Sequence, residues 1–207
     1  MTTHPSSVAA PGDLLRTRQA VLAEDLVARQ FAAHPGLLER YGPAGRAKCL
    51  LRLDLEPTDL AQLVRRNVTL NRVLAARKDI AVEMELPDAI PPMPLDPGKL
   101  EQVVNNLIGN AVKFSPDGST VDVTLASAGD EVVLGVRDHG PGIPADQVDR
   151  LFRPFERLRR SGENTEPGTG LGLAIVKRIV DAHGGRIWVE TEHEKGADIR
   201  VALPAAR

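Results

Sequence analysis

Cysteine and aromatic residues are scarce in this sequence. Of 207 residues one is cysteine, Cys49, and 3% are aromatic. A single thiol cannot form an internal disulfide, and no signal peptide is recognisable at the N terminus, so we expect the chain to reside in a reducing cytoplasm. Cys49 is interpreted as a structural residue.

Long apolar runs and a strong excess of one charge are also missing. No segment approaches the roughly 20 apolar residues needed to cross a bilayer, so we expect no membrane segment in this chain. Lysine and arginine number 26 against 28 aspartate and glutamate residues, and this balance does not predict nucleic acid as a partner. A hydrophobic share of 42% is typical of a soluble globular protein with its own core.

Two regions of different character follow one another along the chain. Residues 1–52 begin with a small, polar, proline-containing stretch and continue through several Pro and Gly breakers, so we expect a partly disordered segment with short helices. Residues 53–207 are expected to form one folded domain. The sequence leaves open whether the first segment is part of a dimerisation element or a docking helix.

Helical and strand periodicities are mixed along residues 53–207. The predicted helices are 59–77, Leu100–Phe114, Pro144–Phe152 and Leu171–Ala182, and the predicted strands are Ile80–Leu86, Val121–Leu125, Val132–Val136, Arg186–Thr191 and Ile199–Leu203. In the first helix the predicted apolar face comprises Leu60, Leu63, Val64, Val68, Leu70 and Leu74. Several consecutive strands mixed with helices favour a two-layer α/β sandwich over a parallel doubly wound sheet.

One predicted helix carries polar residues on a single face. Asn106, Asn110 and Lys113 recur at helical spacing. Amide oxygens suit a hard cation such as Mg²⁺, and a lysine ammonium suits phosphate oxygens. Taken alone, the two asparagines are equally well explained as surface residues or as side chains bonded to the local backbone.

A strand followed by a glycine turn forms a second motif, Val136–Pro144. It delivers Asp138 and then turns through Gly140 and Gly142. A carboxylate at this position can accept the amino hydrogen of adenine and would refuse guanine, which carries an oxygen there. The alternative is an Asx-capped turn after a strand.

Two further motifs overlap the two ends of a predicted long loop, Arg153–Gly170. Phe152 and Phe155 lie at its start and are interpreted either as lid anchors or as core residues. Gly168, Gly170 and Gly172 lie at its end, in a glycine-rich turn that enters a helix, which suits phosphate binding or a flexible hinge. The spacing fits neither a Rossmann nor a Walker motif.

The order of these four motifs closely resembles the ATP-binding domain of sensor histidine kinases, with its N, G1, F and G2 boxes. The resemblance covers about residues 54–204 and implies membership of the GHKL superfamily, also called HATPase_c. It implies the Bergerat fold, a two-layer α/β sandwich in which a mixed sheet is backed by helices and ATP binds beneath a mobile lid.

The same resemblance implies roles for individual residues. Asn106 and Asn110 would hold Mg²⁺ and phosphates, and with Lys113 they form the implied catalytic set. Phe114 would lie against adenine and Asp138 would bind its amino group. The remaining implied nucleotide contacts and lid residues are Gly140, Gly142, Ile143, Phe152, Gly168, Thr169, Gly170, Leu171, Gly172 and Leu173.

Other members of the superfamily, such as gyrase and heat-shock chaperones, place a glutamate general base where this chain has Asn106. Without that carboxylate, activation of water or of a serine is not provided for. Histidine kinases usually carry Asn at this position. The residue therefore favours a kinase over a hydrolase.

The sequence departs from the family at the phosphoacceptor. Neither His4 nor His34 stands in a recognisable H-box. His183 precedes Gly184-Gly185 at a helix end, where the helix dipole is a sufficient explanation, and His139 is expected to point to solvent. Gly196-Ala197-Asp198 replaces the family's usual glycine, hydroxyl and aromatic sequence, which leaves one contact of the pocket wall open.

These observations predict a catalytic module of a two-component system that transfers the γ-phosphate of ATP to a histidine supplied in trans. Its expected partners are a phosphoacceptor domain or a response regulator, and a homodimer remains open. The alternative is an ATP-dependent regulatory module without phosphotransfer, suggested by Arg157, Arg159 and Arg160 in the long loop. A degenerate domain that binds no nucleotide is a less favoured interpretation, because all four motifs are intact.

Overall fold

The computed structural model describes residues 51–156, 171–191 and 196–205. The chain divides between Arg52 and Leu53 into two units, and the second unit contains almost all of the described residues. The predicted character of residues 1–50 and most of the predicted 153–170 loop lie outside the described residues. Among the helices that are described, none is long and apolar enough to cross a membrane.

The first described helix, α1 (Leu60–Ala75), begins at Asp59. The Asp59 carboxylate accepts the backbone N–H of Gln62 at 2.9 Å, which satisfies a donor that has no partner inside the helix. A 3-10 helix, Ala76–Lys78, continues it and ends at Asp79, whose φ of 56° is left-handed. The predicted helix is therefore confirmed.

The buried face of α1 differs from the predicted one. Leu60, Leu63, Val64 and Val68 are buried, but Leu70 and Leu74 are 63% and 52% exposed. Because a helix repeats about every 3.6 residues, the buried stripe continues through Asn67 and Asn71 to Ala75 instead. Asn71 Nδ2 donates to the Asn67 carbonyl at 2.8 Å and to Asn105 Oδ1 at 2.6 Å, so its burial is satisfied.

The second helix, α2 (Pro97–Phe114), starts three residues before the predicted Leu100. Asp96 is its N-cap and accepts the N–H of Lys99 at 3.0 Å, and Pro97 occupies the first helical position, which has no intrahelical donor to lose. The cap lies inside the proline-rich segment Pro87–Pro97, to which the sequence analysis assigned no helix or strand. Residue 96 also accepts the N–H of Asp54 at 3.0 Å.

Seven strands form two sheets in the part of the chain that the structure describes. The short pair β1 (Glu56–Thr58) and β3 (Met93–Leu95) is antiparallel and was not predicted, because three-residue strands containing proline show no alternation. The main sheet has the order β2-β4-β5-β7-β6, in which only β2 and β4 are parallel. Its strands are β2 (Ala81–Glu85), β4 (Thr120–Ala128), β5 (Glu131–Arg137), β6 (Arg186–Thr191) and β7 (Ala197–Pro204).

The three helices pack on one face of the main sheet. Helix α1 contacts β2, α2 contacts β4 and β5, and α3 (Gly172–Ala182) contacts β6 and β7. The core between the layers is aliphatic, and its largest fully buried side chains include Leu100, Leu107, Ile108, Leu134, Ile179 and Leu203. The predicted two-layer α/β sandwich with a mixed sheet is confirmed. The predicted short helix after Pro144 is a 3-10 helix, Ala145–Arg150.

His183 joins the end of α3 to the start of α2. Its ring is buried, Nδ1 lies 2.8 Å from the Ile179 carbonyl, and Nε2 lies 3.1 Å from the backbone N of Asp96. The Asp96 N–H can only donate, so Nε2 is unprotonated and Nδ1 carries the proton. Burial lowers the pKa of His183 from its ordinary 6.5, opposed by the Ile179 bond and the Asp96 charge. Two hydrogen bonds therefore hold the ring at this helix end, and the helix dipole named in the sequence analysis does not account for them.

This ring makes the stability of the domain dependent on pH. The unfolded chain binds a proton at residue 183 as the pH falls below 6.5, whereas the folded chain resists it, so folding stability is complete above 6.5 and declines below it. His183→Gln should flatten this part of the profile and cost about 1–3 kcal/mol at neutral pH through the lost buried hydrogen bonds. Urea unfolding of both proteins between acidic and neutral pH measures the effect. Parallel profiles for the two proteins would contradict the assignment.

Candidate functional site

The polar face of α2 meets the start of α3. Asn106, Asn110 and Lys113 are all half-buried on α2. A Cβ atom added at Gly172 would lie 2.8 Å from Asn106 Oδ1 and 3.9 Å from Asn110 Nδ2. The glycine therefore lets the first turn of α3 approach both asparagines, and the structure brings these predicted site residues together.

The orientation of the Asn106 amide follows from its backbone contact. Its Nδ2 donates to the Gln102 carbonyl at 2.8 Å, which turns Oδ1 toward Gly172. A carbonyl-type oxygen is thus presented beside a helix N-terminus, where backbone N–H groups and the helix dipole favour anions. Leu171 and Leu173 flank Gly172 and are half-buried, while Gly168, Thr169 and Gly170 lie outside the described residues.

The Asp138 carboxylate is held by backbone donors. Its Oδ1 accepts the N–H of Gly140 at 2.9 Å and that of Ala197 at 3.3 Å. The backbone N of residue 138 donates to the Ala197 carbonyl at 2.8 Å, which ties the end of β5 to β7. The Asx-type turn considered as an alternative is therefore present, and it fixes the orientation of the carboxylate rather than competing with a binding role.

Glycines allow three backbone segments to converge around Asp138. A Cβ atom at Gly140 would lie 2.6 Å from the Phe114 carbonyl oxygen, and one at Gly196 would lie 1.9 Å from the Asp138 carbonyl oxygen. Both distances are too short for any side chain. Gly142 has a left-handed φ of 72°. The end of α2, the turn after β5 and the start of β7 thus form one tightly packed corner.

Other residues complete this corner. Phe114 is 39% exposed, and the Lys113 ammonium lies 5.4 Å from the centre of its ring. Ile143 is buried, and its N–H donates to Thr191 Oγ1 at 2.9 Å, which in turn donates to the Gly196 carbonyl at 3.1 Å. Thr191 and Gly196 were not predicted as site residues, because their roles depend on contacts between distant parts of the chain.

Phe152 lies in different surroundings. It lines a cavity of about 360 Å³ with residues of the 3-10 helix, α3 and β6, among them Val148, Lys177 and Trp188. The described lining includes none of the asparagines, Phe114 or Asp138. Among the described residues, Phe152 therefore shares this cavity with none of the other predicted nucleotide contacts. Phe155 is 59% exposed and has a left-handed φ of 62°.

His139 does not simply point to solvent. Its Nε2 lies 3.0 Å from Asp122 Oδ2 on the neighbouring strand β4. Its side chain is 42% exposed, so the contact stays in water and contributes little to stability. The residue nevertheless joins the turn after β5 to the adjacent strand.

The fold and the arrangement of this corner define a class of ATP-binding protein. Residues 95–207 match the family described as "Histidine kinase-, DNA gyrase B-, and HSP90-like ATPase". The match covers more than half of the chain, and the chain belongs to this family. The family match includes α2, the turn after β5 and α3, which carry the motifs discussed above.

Within that family the chain is similar to sensor histidine kinases. It is 37% identical over 128 residues to the adaptive-response sensory kinase SasA of Prochlorococcus marinus strain MIT 9313, covering 61% of this chain and 34% of SasA. It is 33% identical over 153 residues to the alginate biosynthesis sensor protein KinB of Pseudomonas aeruginosa, covering 74% of this chain and 25% of KinB. The chain thus spans about a third or less of these relatives.

A solved structure shows the same domain. The catalytic domain of histidine kinase ThkA superposes with a TM-score of 0.64 at 26% identity, covering 74% of this chain and 97% of that chain. The predicted Bergerat fold and the resemblance to histidine kinases are confirmed. The chain carries an ATP-binding catalytic domain of the histidine-kinase type.

The close approach at Gly140 predicts a stability cost for any side chain there. Gly140→Ala should destabilise the domain by about 1–3 kcal/mol, because the Phe114 carbonyl or the turn must move. Gly109→Ala is the matched control, since a Cβ atom there meets nothing within 4 Å. It should stabilise α2 by about 0.5–1 kcal/mol. Urea unfolding measures both changes, and equal stabilities for Gly140→Ala and the unsubstituted protein would contradict the packing described.

Proposed function

We propose that this domain binds Mg-ATP between the polar face of α2, the start of α3 and the turn after β5, and transfers the γ-phosphoryl group to a histidine supplied by another protein. The approach of Gly172 to Asn106 and Asn110 is the observation that carries the proposal. It places two amide side chains beside a helix N-terminus, a combination that suits both a metal ion and phosphate oxygens. The similarity to sensor histidine kinases supports the choice of acceptor.

The phosphate end would be formed by α2 and α3. Asn106 Oδ1 is the hard ligand that Mg²⁺ prefers, and Asn110 adds a second side-chain amide to this face. The Lys113 ammonium would meet a phosphate oxygen. When bound, Mg²⁺ would neutralise part of the charge on the triphosphate.

The adenine end would be formed by Asp138 and Phe114. Two backbone N–H groups fix Oδ1 of Asp138, so its orientation is set before the nucleotide arrives. The half-exposed Phe114 ring offers an apolar face for the base. Together these residues would select ATP over GTP.

The proposed reaction does not require a general base at Asn106. A neutral imidazole nitrogen has a lone pair and attacks the γ-phosphorus directly, whereas water or a serine hydroxyl must lose a proton. A nitrogen–phosphorus bond forms, the bond to the bridging oxygen breaks, and ADP leaves with the electron pair. The domain contributes by positioning and charge neutralisation, as expected for phosphoryl transfer.

Asn110→Asp tests the phosphate end of the site. Nδ2 of Asn110 faces the start of α3, so the substitution replaces a donor with a negative oxygen that repels the phosphates. Mg-ATP affinity should fall by roughly 100-fold or more. Calorimetric titration measures this change.

Asn105→Asp is the matched control for charge and shape. It lies on the exposed side of α2 and keeps the Oδ1 acceptor for Asn71, so it should bind Mg-ATP like the unsubstituted protein. Micromolar affinity retained in Asn110→Asp would remove Asn110 from the proposed site.

Incubation with γ-labelled ATP and Mg²⁺ tests the transfer. Because no H-box is recognisable, the chain itself should acquire no label with the acid lability and base stability of phosphohistidine. Among phosphoacceptor domains from a panel of histidine kinases, at least one should acquire such a label. Label on this chain would identify one of its five histidines as the acceptor. ATP binding without transfer to any acceptor would favour the regulatory module.

A further inference from the structure

Lys78 binds the end of α2 from a different part of the fold. It is the last residue of the 3-10 helix that follows α1. Its ammonium lies 3.1 Å from the Val112 carbonyl, 3.1 Å from the Lys113 carbonyl and 2.9 Å from the Ser115 carbonyl. An ammonium has three donors, and three carbonyl acceptors surround this one.

These carbonyls belong to a helix end that needs a cap. The last four carbonyls of an α-helix have no intrahelical partner, and the helix dipole favours a cation there. Helix α2 has no glycine at its end, because Ser115 and Pro116 follow Phe114 and the backbone of Ser115 is extended. A left-handed glycine cap is therefore absent at this helix end, and Lys78 replaces it.

Backbone contacts anchor Lys78 itself. Its carbonyl accepts the N–H of Gly118 at 3.0 Å, and the left-handed Asp79 follows immediately. The side chain is 28% exposed, and the nearest carboxylate oxygen, on Asp117, lies 3.8 Å away. The three shorter contacts of the ammonium are thus with carbonyls of the last turn of α2 and of its C-cap, Ser115, and the ion pair with Asp117 is longer.

The capped turn is the one that touches the adenine end of the proposed site. The carbonyls of residues 113 and 115 bracket Phe114, whose own carbonyl packs against Gly140. Gly140 in turn donates its N–H to Asp138. We propose that Lys78 is a positioning residue that fixes the last turn of α2 and, through Gly140, the Asp138 carboxylate that recognises adenine.

Selectivity for the amino group of adenine distinguishes positioning from general stability. This test rests on the proposed function, and it compares ATP with purine riboside triphosphate, which lacks the amino group. In Lys78→Met the ratio of the two affinities should fall by about threefold or more, because the Asp138 contact is misplaced. Lys78→Arg, which keeps the charge and the donors, should retain most of the ratio.

Lys99→Met is the matched control for loss of one lysine. It lies in the first turn of α2, at the opposite end from the proposed cap. Its affinity ratio should equal that of the unsubstituted protein. Lys78→Gln, which keeps an amide donor without the charge, is a milder variant in case Lys78→Met does not fold, and it should give an intermediate ratio.

Amide exchange of the nucleotide-free protein provides a second, independent readout. In Lys78→Met the amides of Ser115 and Gly140, bonded to Ala111 and Asp138, should exchange about tenfold faster, while that of Val201 in β7 stays protected. Amide exchange tests the role of Lys78 even if the protein binds no nucleotide. A failure to bind nucleotide would refute only the proposed function. Unchanged exchange at both amides, or faster exchange throughout the domain with an unchanged affinity ratio, would overturn the role of Lys78.

Discussion

The fixed position of helix α2 is the constraint on which the rest of this domain depends. Its apolar face packs on β4 and β5, and its polar face carries Asn106, Asn110 and Lys113, which are proposed to bind the metal ion and the phosphates. Both of its ends are held from elsewhere in the fold. Asp96 caps the start and is itself bonded to His183 of α3, and Lys78 caps the end. A displacement of α2 along its axis would therefore break contacts with both neighbouring helices.

This arrangement explains why the proposed site is built where it is. The start of α3 can lie on the asparagines only because residue 172 has no side chain, and the turn after β5 can lie on the last turn of α2 only because residue 140 has none. Two glycines thus set the distance between α2 and the elements proposed to bind phosphate and adenine. The sheet holds these elements at the required spacing, since β5 and β7 enter the corner side by side.

Much of this domain could be predicted because its signals are local. Helical spacing placed Asn106, Asn110 and Lys113 on one face, and the four motifs in order identified the fold family. Features that depend on distant contacts could not be predicted. The burial of Asn71, satisfied by Asn105, displaced Leu70 and Leu74 from the expected core. The hydrogen bonds of the buried His183 could not be predicted, because one partner, Asp96, is far away in sequence.

The single tryptophan of the chain gives the domain a built-in optical reporter. Trp188 lies on β6, its indole N–H donates to Glu190 at 3.1 Å, and the Arg186 guanidinium lies 5.2 Å from its ring centre. It lines the cavity that also contains Phe152, and the described lining of that cavity includes neither Phe114 nor Asp138. Its fluorescence should therefore respond to rearrangement of the 3-10 helix against β6, and it can be followed in the unsubstituted protein without an added label.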